Sequence, residues 1–266
     1  MVPAERRSEG FGYVGVLPNV ALMALPPLAL WVAHRFGFGA QFLGAALLAL
    51  VALGPVALLD ETSPTAGGSG DLHSRAAVPA ALLVALAGLP LGAVDALVPL
   101  YASRVGLGNA GLFFTVMGAA IILARAVLGR LPGSTTQLLA ASFGLQAAGL
   151  ATLASVPRLV VAGGLPVGLL AGAALFGAGF ALVFPLLQSA AVAATGDGEN
   201  GAVTATLLVG LDLGIGLGAI VGGLFADVYS LSAVYSLYSL VPSAGVVVVV
   251  IIPIFHDNPP DGILGT

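Results

Sequence analysis

The amino-acid sequence predicts an all-α integral membrane protein, and three observations carry that reading. Only 8% of the residues are charged and 59% are hydrophobic, whereas a soluble domain carries roughly 25% charged residues to cover its surface. Apolar runs of about 20 residues, the length a helix needs to cross a hydrocarbon core of about 30 Å, recur along the whole chain. These runs are continuously apolar rather than alternating with a period of two, which excludes a transmembrane β-barrel.

Eight runs meet the length requirement, at 13–33, 42–59, 77–100, 110–128, 136–156, 165–191, 202–225 and 231–254. The first follows Arg6-Arg7 and is longer than the apolar region of a signal peptide, so it is expected to stay in the membrane. His34-Arg35 separates it from the second. Residues 60–76, DETSPTAGGSGDLHSRA, follow the second and read as a flexible linker, the one candidate domain boundary. Shorter breaks at Arg104, Arg130 to Ser134, Pro157-Arg158 and Asp197 to Asn200, with the ADVYS stretch before the eighth run, divide the remaining six. With both termini cytoplasmic, Arg6, Arg7, Arg75, Arg125 and Arg130 fall inside and Arg35, Arg104 and Arg158 outside, an arginine bias that favours this orientation in the plasma membrane.

The same composition excludes several functions. The net charge is −4 and every basic residue is an arginine, so no polybasic patch is present for nucleic acid or anionic lipid. There are no cysteines, and His34, His73 and His256 lie outside the spans without ligand spacing, so neither a metal nor another cofactor is expected. Enzyme chemistry finds no support. The Gly-x-Ser-Gly pattern at Gly67 to Gly70 sits in the linker rather than at a helix start in the membrane. The Gly-x-Gly-Asp signature of intramembrane aspartyl proteases is absent around Asp212, and the GIGLG stretch has the wrong spacing and no preceding strand for a dinucleotide loop.

A repeat is visible. Glu9-Gly10 leads into the first run, then HRFGF and the second; Asn200-Gly201 leads into the seventh, then ADVYS and the eighth. An offset of about 191 residues, or six spans, matches the parallel six-helix repeats of some transporters. The order RRSEGFGY, a proline-containing span, the linker, and LVPLYASRVGLGNAGLFFTVMGAAIILARAVLGRL resembles the major facilitator superfamily, specifically its small-molecule efflux branch. The resemblance covers about residues 5–254. It implies a bundle whose eight spans are equivalent to the family's helices five to twelve, with 1–59 as the last two helices of an N-terminal half, 60–76 as a cytoplasmic linker and 77–266 as a six-helix C-terminal half. The first four helices are then expected to be missing, or supplied by a separate chain. Of the family's helix-five antiporter motif, the matching positions Leu25, Pro26 and Ala29 retain the proline. Gly129-Arg130 runs directly into LPGSTT, without the family's acidic-basic pair.

Ionisable groups inside a span are functional candidates by default. Asp95, on a face with Gly88, Gly92 and Pro99, and Asp212, near the middle of its span, are candidates for loading a coupling ion. The resemblance implies a proton for that ion, and an inner gate in which Arg125 or Arg130 meets Glu9; for Arg125 the competing reading is an arginine that snorkels to the interface. Asn19, Gln146 and Gln188 could line a substrate cavity or pin helices together. Gly210, Gly214, Gly218 and Gly222 form a stripe for close helix packing, and Pro26, Pro90, Pro185 and Pro242 offer kinks. The function expected is ion-coupled export of a small organic molecule such as a drug, sugar or metabolite by a bilayer-embedded secondary transporter, an antiporter in the family's sense of solute exchanged for an ion. A non-transporting scaffold or assembly subunit, one piece of a split transporter, and a channel-like pore are the alternatives.

Overall fold

The structure, a computed structural model, describes residues 7–57, 73–104, 110–128, 133–156, 166–195 and 200–251, with side chains from residue 20 onward apart from 22, 56, 57 and 128. The described residues form α-helices and one short 3-10 turn, with no strand among them. In chain order these are α1 Arg7–Ala57, the turn Arg75–Ala77, α2 Val78–Arg104, α3 Gly111–Leu128, α4 Thr135–Ser155, α5 Val167–Thr195, α6 Asn200–Val228 and α7 Leu231–Ile251. Six of them are long and apolar enough to cross a membrane, and α3 carries a shorter apolar stretch, Gly111–Val127. The chain is a multi-pass helical membrane protein.

The first two expected spans, 13–33 and 42–59, are both carried by α1. At 51 residues a straight helix would measure about 77 Å, far more than the hydrocarbon core. Gly37 interrupts it with φ 83 and ψ 166, a conformation that glycine adopts without the steric penalty a Cβ brings. The loop expected between the two runs is therefore reduced to a break at one residue. That break lies about 191 residues before the turn that joins α6 to α7, the offset of the repeat read in the sequence.

Why the helices pack as they do is clearest between α2 and α6. Gly210, Gly214 and Gly218 lie against the carbonyls of Ala81, Ala85 and Leu89, and Gly222 against the Ala93 methyl. Each step of four on one helix meets a step of four on the other, so the two run parallel in a single register. From the α2 side, Gly88 and Gly92 meet the backbone of Leu211 and Ile215. Lipid gives helices no hydrophobic reason to associate, and small residues that let backbones touch supply van der Waals contact instead. Glycines join the other helices in the same way. Gly149 of α4 lies on Phe176 of α5, Gly177 of α5 on the Met117 carbonyl of α3, and Gly245 of α7 on the Phe143 ring of α4.

Two apolar clusters fill the bundle, one toward each end. Phe113, Met117, Leu150, Phe176 and Tyr235 anchor the first, and Val84, Leu139, Phe143, Leu187 and Leu207 the second. The first part of α1 joins through α3, where a Cβ on Gly118 would stand 2.7 Å from the Met23 Cβ. Beyond Gly37 the large side chains of α1, among them Phe42, Leu47 and Val51, are exposed and form a surface suited to lipid or to further helices.

Gly216 and Gly218 make a matched test of the register. A Cβ at Gly216 would meet no atom within 4 Å, whereas at Gly218 it would collide with the Leu89 carbonyl. Gly218→Ala is expected to cost about 1–3 kcal/mol and to lower the thermal midpoint of the detergent-purified chain. Gly216→Ala should leave that midpoint unchanged or raise it, and equal losses from the two would contradict the register.

Candidate functional site

The α2–α6 register fixes where the two intramembrane carboxylates stand. With Gly210 opposite Ala81 and Gly214 opposite Ala85, Asp212 is level with Leu83. Asp95 lies twelve residues further along α2, a separation of about 18 Å down the bundle axis. A single small ion or proton therefore cannot be shared by both, and each carboxylate belongs to a different depth.

Their surroundings differ too. Asp95 stands two residues beyond Ala93, which meets Gly222 of α6. Gly88 and Gly92 are thus turned against α6 while Asp95 is exposed. It remains within electrostatic range of Tyr235, yet forms no ion pair with Arg104 and no hydrogen bond to any described residue. Asp212 is exposed near the middle of α6, likewise without a hydrogen-bonded or ionic partner among the described residues. Gly216 and Gly223, on the turns that follow, have open space where a Cβ would be. This side of α6 is unoccupied by the rest of the described chain, and the glycine stripe faces away from it into α2.

Neutral polar groups occupy the interior. Gln188 of α5 donates through Nε2 to Thr204 Oγ1 of α6 at 2.9 Å, and Thr204 in turn donates to the Asn200 carbonyl at 2.8 Å. This tie joins two helices that otherwise touch little. Gln146 of α4 is fully buried, and neither its Oε1 nor its Nε2 has a hydrogen-bond partner among the described residues. An unsatisfied buried polar group costs about 1–3 kcal/mol, so Gln146 is held at a price that packing alone does not explain. The Asn19 side chain lies outside the described residues.

Three tyrosines were not singled out in the sequence. Tyr101 donates to the Leu153 carbonyl at 2.7 Å and Tyr238 to the Gly218 carbonyl at 2.7 Å. Tyr235 packs on Tyr101 with ring centroids 5.2 Å apart and is fully buried, its hydroxyl without a partner among the described residues. The available signal was their position: Tyr235 and Tyr238 stand inside an apolar span and Tyr101 at the end of one, where a buried phenol is expected to find a partner.

Arg125 is turned inward, with Nε donating to the Ala181 carbonyl of α5 at 3.0 Å. The other members of the expected gate, Arg130 and the Glu9 side chain, lie outside the described residues. No group of three or more His, Asp or Glu side chains that could hold a metal occurs among the described residues.

No family model matches the chain. Uncharacterized MFS-type transporters of Burkholderia mallei (strain SAVP1), Burkholderia mallei (strain NCTC 10229) and Burkholderia pseudomallei (strain 668) are 30% identical to it over 254 residues, covering 89% of this chain and 60% of each relative. The chain thus spans about three fifths of the length of the curated relatives it matches. By those relatives and its apolar helices together, the chain is similar over most of its length to MFS-type transporters and fits a part of the major facilitator superfamily's fold.

Proposed function

We propose that this chain is the working part of a secondary transporter that exports a small organic molecule in exchange for protons entering down their gradient. The observation that carries this reading is Asp212: an exposed carboxylate at mid-span, without a partner among the described residues, on a side of α6 that the described chain leaves open. A charge so placed in lipid is expensive and is otherwise selected against. Beside a water-filled cavity the same group can take up and release a proton. Asp95 lies about 18 Å away along the axis, at a depth suited to exchange with one face of the membrane.

The mechanism follows from which contacts are tight and which are not. Residues 1–59 and 77–266 act as two units joined by the 60–76 linker, and α1 meets the second unit chiefly at α3. Alternation of access is a rocking of one unit on the other, biased by loading of a carboxylate that is better solvated in one state than in the other. The exposed apolar stretch of α1 beyond Gly37 also suits contact with a separate chain that supplies further helices. Copurification of such a chain would favour assembly as its role.

Asp212→Asn removes the titratable group while keeping size and polarity. It should abolish proton-driven efflux of fluorescent organic probes such as ethidium from cells producing the protein, without changing the amount of folded protein. Full proton-driven efflux by the variant would rule out Asp212 as the coupling group.

The orientation is separately testable because the chain has no cysteines. Single cysteines introduced before residue 7, within 60–72 and after residue 254 should all react with a membrane-impermeant maleimide only once the cells are opened. Labelling of the linker in intact cells would invert the arrangement.

A further inference from the structure

A proline inside a helix leaves the carbonyl four residues earlier without its N–H donor, and within lipid no water takes that place. Pro185 interrupts α5 and so deprives the carbonyl of Ala181, a fully buried residue. It is this carbonyl that receives Nε of Arg125 from α3. The donor missing from α5 is therefore supplied, with a formal positive charge, by the neighbouring helix.

A similar contact is made by α3 with α1. Pro27 leaves the Met23 carbonyl of α1 without its helical donor, and Thr115 Oγ1 stands 3.4 Å from that oxygen while donating to the Gly111 carbonyl at 3.1 Å. The bond from Thr115 is long and shared, whereas the bond from Arg125 is short and charge-assisted. Both carbonyls lie in the two helices that flank α3.

We infer that Arg125 is a positioning residue whose guanidinium replaces the N–H that Pro185 lacks, and that it thereby sets the direction of α5 beyond its kink. Three residues past Pro185, Gln188 makes its bond to Thr204 of α6, so the kink controls how α5 and α6 meet. This role differs from interface anchoring, which needs the guanidinium to reach headgroups, and from a gate, which needs an acidic partner. It goes beyond the transport reading and does not rest on it. Helical side chains lean toward the N-terminus of their own helix, which lets Arg125 reach back along α3 to the level of Ala181.

The test is a double-mutant cycle read by thermal unfolding of the detergent-purified chain. Arg125→Leu is expected to lower the midpoint by about 5 °C, and Arg125→Lys, which keeps a charged donor, by less. Pro185→Ala restores the backbone N–H to the Ala181 carbonyl. In that background Arg125→Leu should lose less than half of what it loses beside Pro185. Should Arg125→Leu give no folded protein, recovery of folded protein in the Arg125→Leu/Pro185→Ala double variant is the expected result. Equal losses in the two backgrounds, no loss from Arg125→Leu beside Pro185, or failure of Pro185→Ala to restore folding would each overturn the inference.

Discussion

The α2–α6 contact, in which the backbones of two parallel helices touch through a glycine stripe, is the interaction on which the rest of this structure depends. In water two such helices would be driven together by apolar area. In a bilayer the tails are as apolar as any leucine, so association rests on close van der Waals contact. Removing the side chain at every fourth position of α6 lets the carbonyls of Ala81, Ala85 and Leu89 sit where Cβ atoms would be. That contact sets the register of the two helices, and through it the depth of every polar group they carry.

The placement of charge follows from that register. With one face of α6 committed to α2, Asp212 is left on another, where Gly216 and Gly223 keep the surface open. Asp95 is exposed two residues beyond Ala93, which meets Gly222. The two carboxylates are consequently separated in depth rather than paired. A shared-proton dyad is excluded by the same geometry.

Backbone satisfaction is the second constraint, and it explains polar side chains that charge alone would leave puzzling. Lipid provides no donors, so a carbonyl freed by proline must be met from within the protein. Arg125 meets one of these carbonyls and Thr115 approaches another. Tyr101 and Tyr238 satisfy their own hydroxyls within the bundle, donating to backbone carbonyls of other helices. Gln146 and the Tyr235 hydroxyl stand apart, because they are buried without such partners among the described residues.

By itself the sequence determined the solvent, the helical class and the position of most spans, because a bilayer demands long unbroken apolar runs and those are visible residue by residue. It also revealed the glycine stripe, since spacing by four is a property of one helix alone. The merging of 13–33 and 42–59 into one helix broken at Gly37 was not legible, because a positive φ leaves no mark beyond the glycine itself, and HRFGF reads equally well as a loop. Tertiary structure alone decided which face of α6 meets α2, how far apart Asp95 and Asp212 stand, and that Arg125 reaches the carbonyl Pro185 leaves bare. Each of these is a relation between helices distant in sequence, and periodicity within a single helix carries no information about what its neighbour presents.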